Sequence, residues 1–228
     1  MYYVSPPIKT DKLLVYYDAA NSKSYNVTGS VWYDLSGNNT NGTLINNPTF
    51  DKRIGGSFWF NSEDLDTINF QVDLRQDFSY ECWAYHLILD KFGMLGQGEA
   101  GPDPNIGLHI WYATTSSIRF GMYANDTDFN VTNTQTGSWY HYVFTYSNTA
   151  PYQKMAYRNG QPLTPNPQQT QAPYSGSGVV RIGAIYGTGG TYSYASGSFA
   201  MAKIYNKVLD QREVLQNFNA MKTRFNLD

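Results

Sequence analysis

"WYDLSGNNTNGTLIN", Trp32 to Asn46, sets Asn38, Asn39, Asn41, Gly37 and Gly42 close together, ahead of a short apolar run. Three chemistries compete for it: glycan acceptors, a calcium loop, or tight turns. Asn-x-Thr sequons stand at Asn38 and Asn41, and again at Asn26, Asn125 and Asn130. The opening "MYYVSPPIKTDK" has no apolar core of the kind a secretory leader carries, so these asparagines are not expected to meet the glycosylation machinery. A calcium loop of the EF-hand type fails on offset. Counted from Asp34, Gly37 falls at the wrong position, and Ile45 stands where the bidentate glutamate belongs. The turn reading survives: asparagine and glycine tolerate left-handed backbone and reverse a chain between strands. A chain punctuated in this way is built of strands.

Composition agrees. Charged residues make up 15% and aromatics 16%, with 20 tyrosines and 20 glycines among 228 residues. Globular domains carry about 25% charge, so this balance suits strands and turns better than helices. A net charge of −2 gives no electrostatic case for nucleic acid or an anionic membrane. Cys82 stands alone, which rules out a disulfide framework within the chain. No apolar stretch approaches membrane-spanning length. The length suits one large sandwich.

Along the chain, residues 1–11 read as an arm, because Pro6-Pro7 blocks both helix and central strand. Residues 12–228 read as one domain of short apolar–aromatic runs separated by turn clusters. The predicted strands are 12–19, 57–60, 67–72, 78–87, 105–113, 117–124, 139–147, 154–163, 179–186 and 198–209. In "SIRFGMYA" (117–124), Ile118, Phe120 and Met122 share one face. In "KMAYRNGQPL" (154–163), Asn159-Gly160 is a hairpin-type turn. The pattern changes only near the end. Asp210 can cap a helix with Glu213 as its reciprocal partner. Val214, Leu215, Phe218 and Met221 then form one apolar stripe that seals the sandwich.

Enzyme signatures fail on context. "GQGEAG" (96–101) is followed by "PDPN", so no helix opens to receive a phosphate. His86, His109 and His141 sit in three separate strands and read as ordinary partly buried residues rather than ligands. Glycoside hydrolysis needs two carboxylates about 5–10 Å apart, and no glutamate has an acidic partner at strand spacing. Glu63, Asp64 and Asp66 share one turn, where they could take calcium through oxygen or simply solvate a loop; the solvated loop is favoured.

Several segments together resemble a known family. "LLVYYDAANSKSY", "WYDLSGNNTNGTLINNPTF" and "GGSFWF" are similar to the opening of laminin G-like, concanavalin A-like jelly-roll modules found in phage and bacterial surface proteins. "FSYECWAY" and "GSWYHYVFTY" resemble their Trp-bearing strands, and "IYNKVLDQREVLQNFNAMKTRF" their closing strand and helix. The resemblance covers roughly residues 12 to 226 and implies an antiparallel β-sandwich, a jelly roll, with one short C-terminal α-helix. "FNSEDLDTI" departs from the family's Phe-Asp-Gly turn, with Asn61 at the first Asp. The alternating acidic strand of the related glucanases is missing, which argues against catalysis.

The resemblance implies a non-catalytic protein of a virion surface: a head or tail decoration or a fibre-tip domain. Its partners would be capsid or tail proteins, host or environmental glycans, or both, with further copies of the chain in a homo-oligomer as another option. A phage protein reaches the outside by lysis, which reconciles a surface fold with a leaderless start. The alternative is a stand-alone carbohydrate-binding lectin of a bacterial surface protein, with a hydrolase well behind. Sugar sites need flat aromatic faces beside amides and carboxylates. The candidate loops are 186–198, with Tyr192 and Tyr194, and 123–134, with Asp126, Asp128 and Asn130.

Overall fold

The computed structural model describes residues 6–98, 103–151, 153–166, 172–186 and 192–227. Among them, two antiparallel sheets enclose one aromatic core. The first runs in the order Gln161–Pro162, Lys154–Arg158, Trp139–Tyr146, Phe78–His86, Gly197–Tyr205, Ser57–Phe60 and Thr49–Asp51, with Leu13–Asp18 also pairing Gly197–Tyr205. The second runs Thr164–Pro165, Asp126–Asn130, Ser117–Met122, Leu108–Thr114, Gly93–Gln97, Val180–Ile182, Thr67–Phe70, Gly42–Ile45 and Val31–Trp32. Alternation decides what faces inward. Phe58, Phe60, Tyr80 and Phe144 from the first sheet meet Ile110, Tyr112, Phe120 and Ile182 from the second in one buried cluster.

The 32–46 stretch is a clip, as the turn reading expects. The Asp34 carboxylate accepts hydrogen bonds from the backbone N–H of Tyr16 at 2.9 Å, Ser36 at 2.9 Å and Thr40 at 3.2 Å. It also accepts from the Ser36 hydroxyl at 2.6 Å. The Asn38 amide donates to the Leu13 carbonyl at 2.9 Å, and the Asp34 N–H donates to the Asn41 side chain at 2.9 Å. Left-handed backbone falls on Gly37 (φ 92) and Asn39 (φ 58). Gly42 serves close approach instead: a Cβ there would lie 2.6 Å from Ile68 Cγ2.

Two predicted segments are corrected. The run 179–186 is not one strand, because Gly183 takes φ 89 and splits it. Val180–Ile182 stays in the second sheet, while Ala184–Tyr186 turns away to pair with Tyr192–Tyr194. Residues 123–134 are not simply a loop, since Asp126–Asn130 forms a strand antiparallel to Ser117–Met122. The predicted loop 186–198 is described only from Tyr192 onward, so 187–191 lie outside the described residues.

The C-terminal helix spans Gln211–Met221. Asp210 accepts from the N–H groups of Arg212 (2.8 Å) and Glu213 (2.9 Å), and Glu213 answers from the Asp210 N–H (3.2 Å). Helix, following turn and arm together cover the outer face of the first sheet. Phe218 and Phe225 stack on Trp83 at 5.9 and 4.0 Å between centroids. The arm is tied down: Lys9 N–H donates to Asn217 at 2.7 Å, and the Gln216 amide donates to the Pro7 carbonyl at 2.7 Å.

Candidate functional site

Strand register lays that outer face out in rows, because residues directly opposite across antiparallel strands share a face. One row is Lys203–Glu81–Val143 and the next Met201–Trp83–His141. Both are fully buried. The third row, Trp59–Ser198–Tyr85–Trp139, emerges beyond the covering helix. Trp59, Tyr85 and Trp139 are half-buried, and span about 14 Å at the usual strand spacing. They line a cleft of 170 Å³ with Ser57, Ser198 and Asp51.

One wall of this cleft is the Arg53–Gly55 turn. Arg53 contacts Asp51 through Nη2 at 2.6 Å and Nε at 2.7 Å. The hydrogen bond from Arg53 holds the Asp51 carboxyl below the usual carboxylate range. Arg53 itself is 85% exposed, so the pair adds little to stability. At the other end Trp139 packs on Tyr85 at 5.6 Å and on Phe225 at 5.1 Å. The floor is therefore fixed by sheet and turn, with aromatic faces set beside a carboxylate, a guanidinium and two hydroxyls. Such a surface can stack on an apolar ring face while hydrogen-bonding its rim.

The residues singled out in the sequence lie elsewhere. Asp126, Asp128 and Asn130 stand on the outer side of the second sheet with their polar groups engaged. Arg119 grips Asp128 at 2.8 and 3.0 Å. Asp126 meets Arg119 at 3.2 Å and His109 at 3.1 Å. Burial works against the Asp126 charge, but His109 and Arg119 hold its carboxyl below the ordinary range. Asn130 donates to Asn166 at 3.2 Å. Tyr192 and Tyr194 belong to the hairpin laid over Gly93 and Gly96, where a Cβ would strike the Ala184–Ile185 and Ser193 backbone. Tyr194 lines a separate cleft with Ser62, Leu65, Ile88, Asp90 and Lys91.

The acidic turn does not form a cation cage. Asp66 accepts from the Asn61 N–H at 2.9 Å, Asp64 accepts from the Asn61 amide at 2.8 Å, and Glu63 is exposed. The histidines part company too. His86 meets the Tyr142 hydroxyl at 3.0 Å, and burial lowers its pKa to about 3. His109 pairs with Asp126, and His141 lies 3.2 Å from Glu81. Among the described residues no three His, Cys, Asp or Glu side chains are placed to hold a metal ion. Cys82 is buried, which pushes its thiol up to about 12 and leaves it a packing group.

Comparison with known proteins places the fold. Residues 61–215, more than half of the chain, match the family described as the concanavalin A-like lectin/glucanases superfamily. The chain belongs to that superfamily. No curated protein sequence matches this lectin/glucanase-type domain. Among solved structures, Trypanosoma rangeli sialidase in complex with sialic acid is similar at a TM-score of 0.68 and 18% identity, over 97% of this chain and 36% of that one. This superfamily member thus spans about a third of the sialidase it matches. The binding domain of Paraclostridial Mosquitocidal Protein 1 is similar at 0.68 and 17%, over 92% of this chain and 52% of that one. Domain 4 of AbnA, an extracellular arabinanase from Geobacillus stearothermophilus in complex with arabinotriose, is similar at 0.63 and 18%, over 90% and 98%.

Proposed function

We propose that this domain is a non-catalytic carbohydrate-binding module and that its sugar site is the Trp59–Tyr85–Trp139 cleft. The observation that carries this reading is three half-buried aromatic side chains along one row, beside Asp51, Arg53, Ser57 and Ser198. A sugar ring offers apolar C–H faces and a polar rim, the complement of such a surface. The volume of 170 Å³ lies below the roughly 300–1,000 Å³ of clefts that enclose drug-sized ligands, and so suits one sugar ring. Asp51 and Arg53 neutralise each other, so the cleft favours a neutral sugar. The superfamily and its arabinotriose-bound structural neighbour support the class of ligand.

Two features support the non-catalytic reading. Asp51 is the sole carboxylate among the described residues lining the cleft, and hydrolysis with paired acids needs two. Arg53 also occupies that carboxylate. Display on a virion or cell surface is the setting the family resemblance implies, and co-purification with capsid or tail proteins tests it.

A glycan array with neutral mono- and oligosaccharides, arabinotriose and sialic acid tests the site. Trp139→Ala and Trp59→Ala are each expected to weaken binding of any neutral hit at least tenfold, about 1.4 kcal/mol. Asp128→Ala, on the other sheet, is expected to leave it unchanged. Binding that survives both tryptophan variants would remove the cleft from the proposal.

A further inference from the structure

Three sequence-distant segments meet behind the cleft. Asp18 ends the first strand, Ile54 belongs to the cleft wall and Gly56 directly follows it, and Arg224 follows the C-terminal helix. Arg224 donates to the Asp18 carboxylate at 2.8 Å, to the Ile54 carbonyl at 2.9 Å and to the Gly56 carbonyl at 2.8 Å. Its guanidinium also lies 5.1 Å from the Phe225 ring centre. Phe225 in turn packs on Trp139, the opposite end of the cleft. One short turn, Lys222–Phe225, therefore touches both ends of the site.

The wall held by Arg224 has an unfavourable backbone. Ile54 takes φ 54, ψ 27, a left-handed conformation that costs a β-branched residue on the order of 1–3 kcal/mol. Gly55 and Gly56 follow at φ 84 and φ 146, and a Cβ on Gly56 would collide with the Ala19 carbonyl. A segment in that state persists only where its surroundings over-determine it. Arg224 supplies that constraint by binding the Ile54 and Gly56 carbonyls on either side of Gly55. Ile54 and Arg53 line the cleft directly, so the clamp fixes the cleft's shape.

We infer that Arg224 is a positioning residue for the cleft: it holds the Arg53–Gly55 wall closed against Trp59 and Tyr85 without touching the bound molecule. The inference rests on the cleft being the binding site only for its consequence in affinity, not for its geometry. Lysine cannot replace it, because an ammonium lacks the fork that reaches two carbonyls and a carboxylate together.

The test uses the full chain and two readouts. The first is quenching of tryptophan emission by acrylamide, a neutral probe of aromatic access. Arg224→Lys is expected to raise the quenching constant at least twofold, and the rise is expected to vanish when Trp59 and Trp139 are both replaced by phenylalanine. Placing Ile54→Asn in the Arg224→Lys background, which gives the turn a residue at ease in left-handed backbone, is expected to return quenching toward the parent value. Neither result follows from a general loss of stability. The second readout is affinity for the array's neutral trisaccharides, expected to fall at least fivefold. Unchanged quenching in folded Arg224→Lys overturns the inference. Changed quenching with no sugar binding by the parent overturns the sugar reading alone.

Discussion

Lys203→Met is expected to destabilise the fold by about 3–5 kcal/mol, the usual cost of leaving one partner of a buried ion pair alone. Lys203 and Glu81 have no exposed side-chain surface and meet at 2.7 Å. The other Glu81 oxygen accepts from the Asn217 amide at 2.7 Å and the Tyr205 hydroxyl at 3.2 Å. The carboxylate thus joins two strands of the first sheet to the C-terminal helix. With methionine at 203, a buried anion keeps its neutral donors and loses its counter-charge. Urea unfolding at pH 7 reads the effect as a lower midpoint at unchanged slope. Removing both charges, as in Glu81→Leu with Lys203→Met, is expected to recover part of the loss, since no unpaired charge then remains. A Lys203→Met protein that unfolds at the parent's urea concentration would falsify this account.

The same group sets an acid limit. Burial alone would raise the Glu81 pKa, but Lys203 and then His141 overcome it and lower the value to about 2. A carboxyl lowered on folding contributes stability above its unfolded value of about 4.3, and that contribution drains away as pH falls toward the folded value. The urea midpoint of the parent is therefore expected to drop steeply between about pH 4 and pH 2. Glu81→Gln, less stable from the start, is expected to lack that step.

Much of this arrangement was legible in the chain. The helix cap, the hairpin at Asn159-Gly160 and the strands of the first sheet other than its edge strand Thr49–Asp51 follow from apolar patterning and turn chemistry, because each depends on neighbours a few residues apart. Glu81 inside "FSYECWAYH" and Lys203 inside "SFAMAKIY" also carry a local signal: a charge amid apolar residues on a buried strand has to find a partner. What local reading cannot supply is register. Trp59, Tyr85, Trp139 and Ser198 come from four segments and become a row only when their strands are aligned. Within Ser57–Phe60 the structure buries Phe58 and Phe60 and so turns Trp59 outward, as alternation along a strand requires. Asp126 and Asp128 stand together in sequence and so read as a polar site, but in the fold Arg119 pairs with both and His109 contacts Asp126. Gly93–Gln97 is not legible as a strand because its glycines, which weaken a strand by propensity, are the residues that let the paired strands Ala184–Tyr186 and Tyr192–Tyr194 lie on it.

Asp34→Ala should cost about 2–4 kcal/mol, since the carboxylate serves three backbone N–H groups and one hydroxyl. Hydrogen bonds to a charged group contribute about 1.5–3 kcal/mol each when buried. Asp34 is half-buried, so water takes over some of the donors and the sum falls well short of four such bonds. Asp34→Asn keeps one oxygen for the Tyr16 and Ser36 N–H groups but turns an amide toward the Thr40 N–H, and should lose about half as much. Thermal melts compare the three proteins. Calcium separates the clip from a cation site, because a carboxylate already filled by N–H donors has little to offer a metal. The parent's melting temperature should be the same with millimolar calcium as with chelator. If calcium instead raises it, and Asp34→Ala loses that rise, the "WYDLSGNNTNGTLIN" segment is a metal loop and its asparagines act as ligands rather than as corners of the chain.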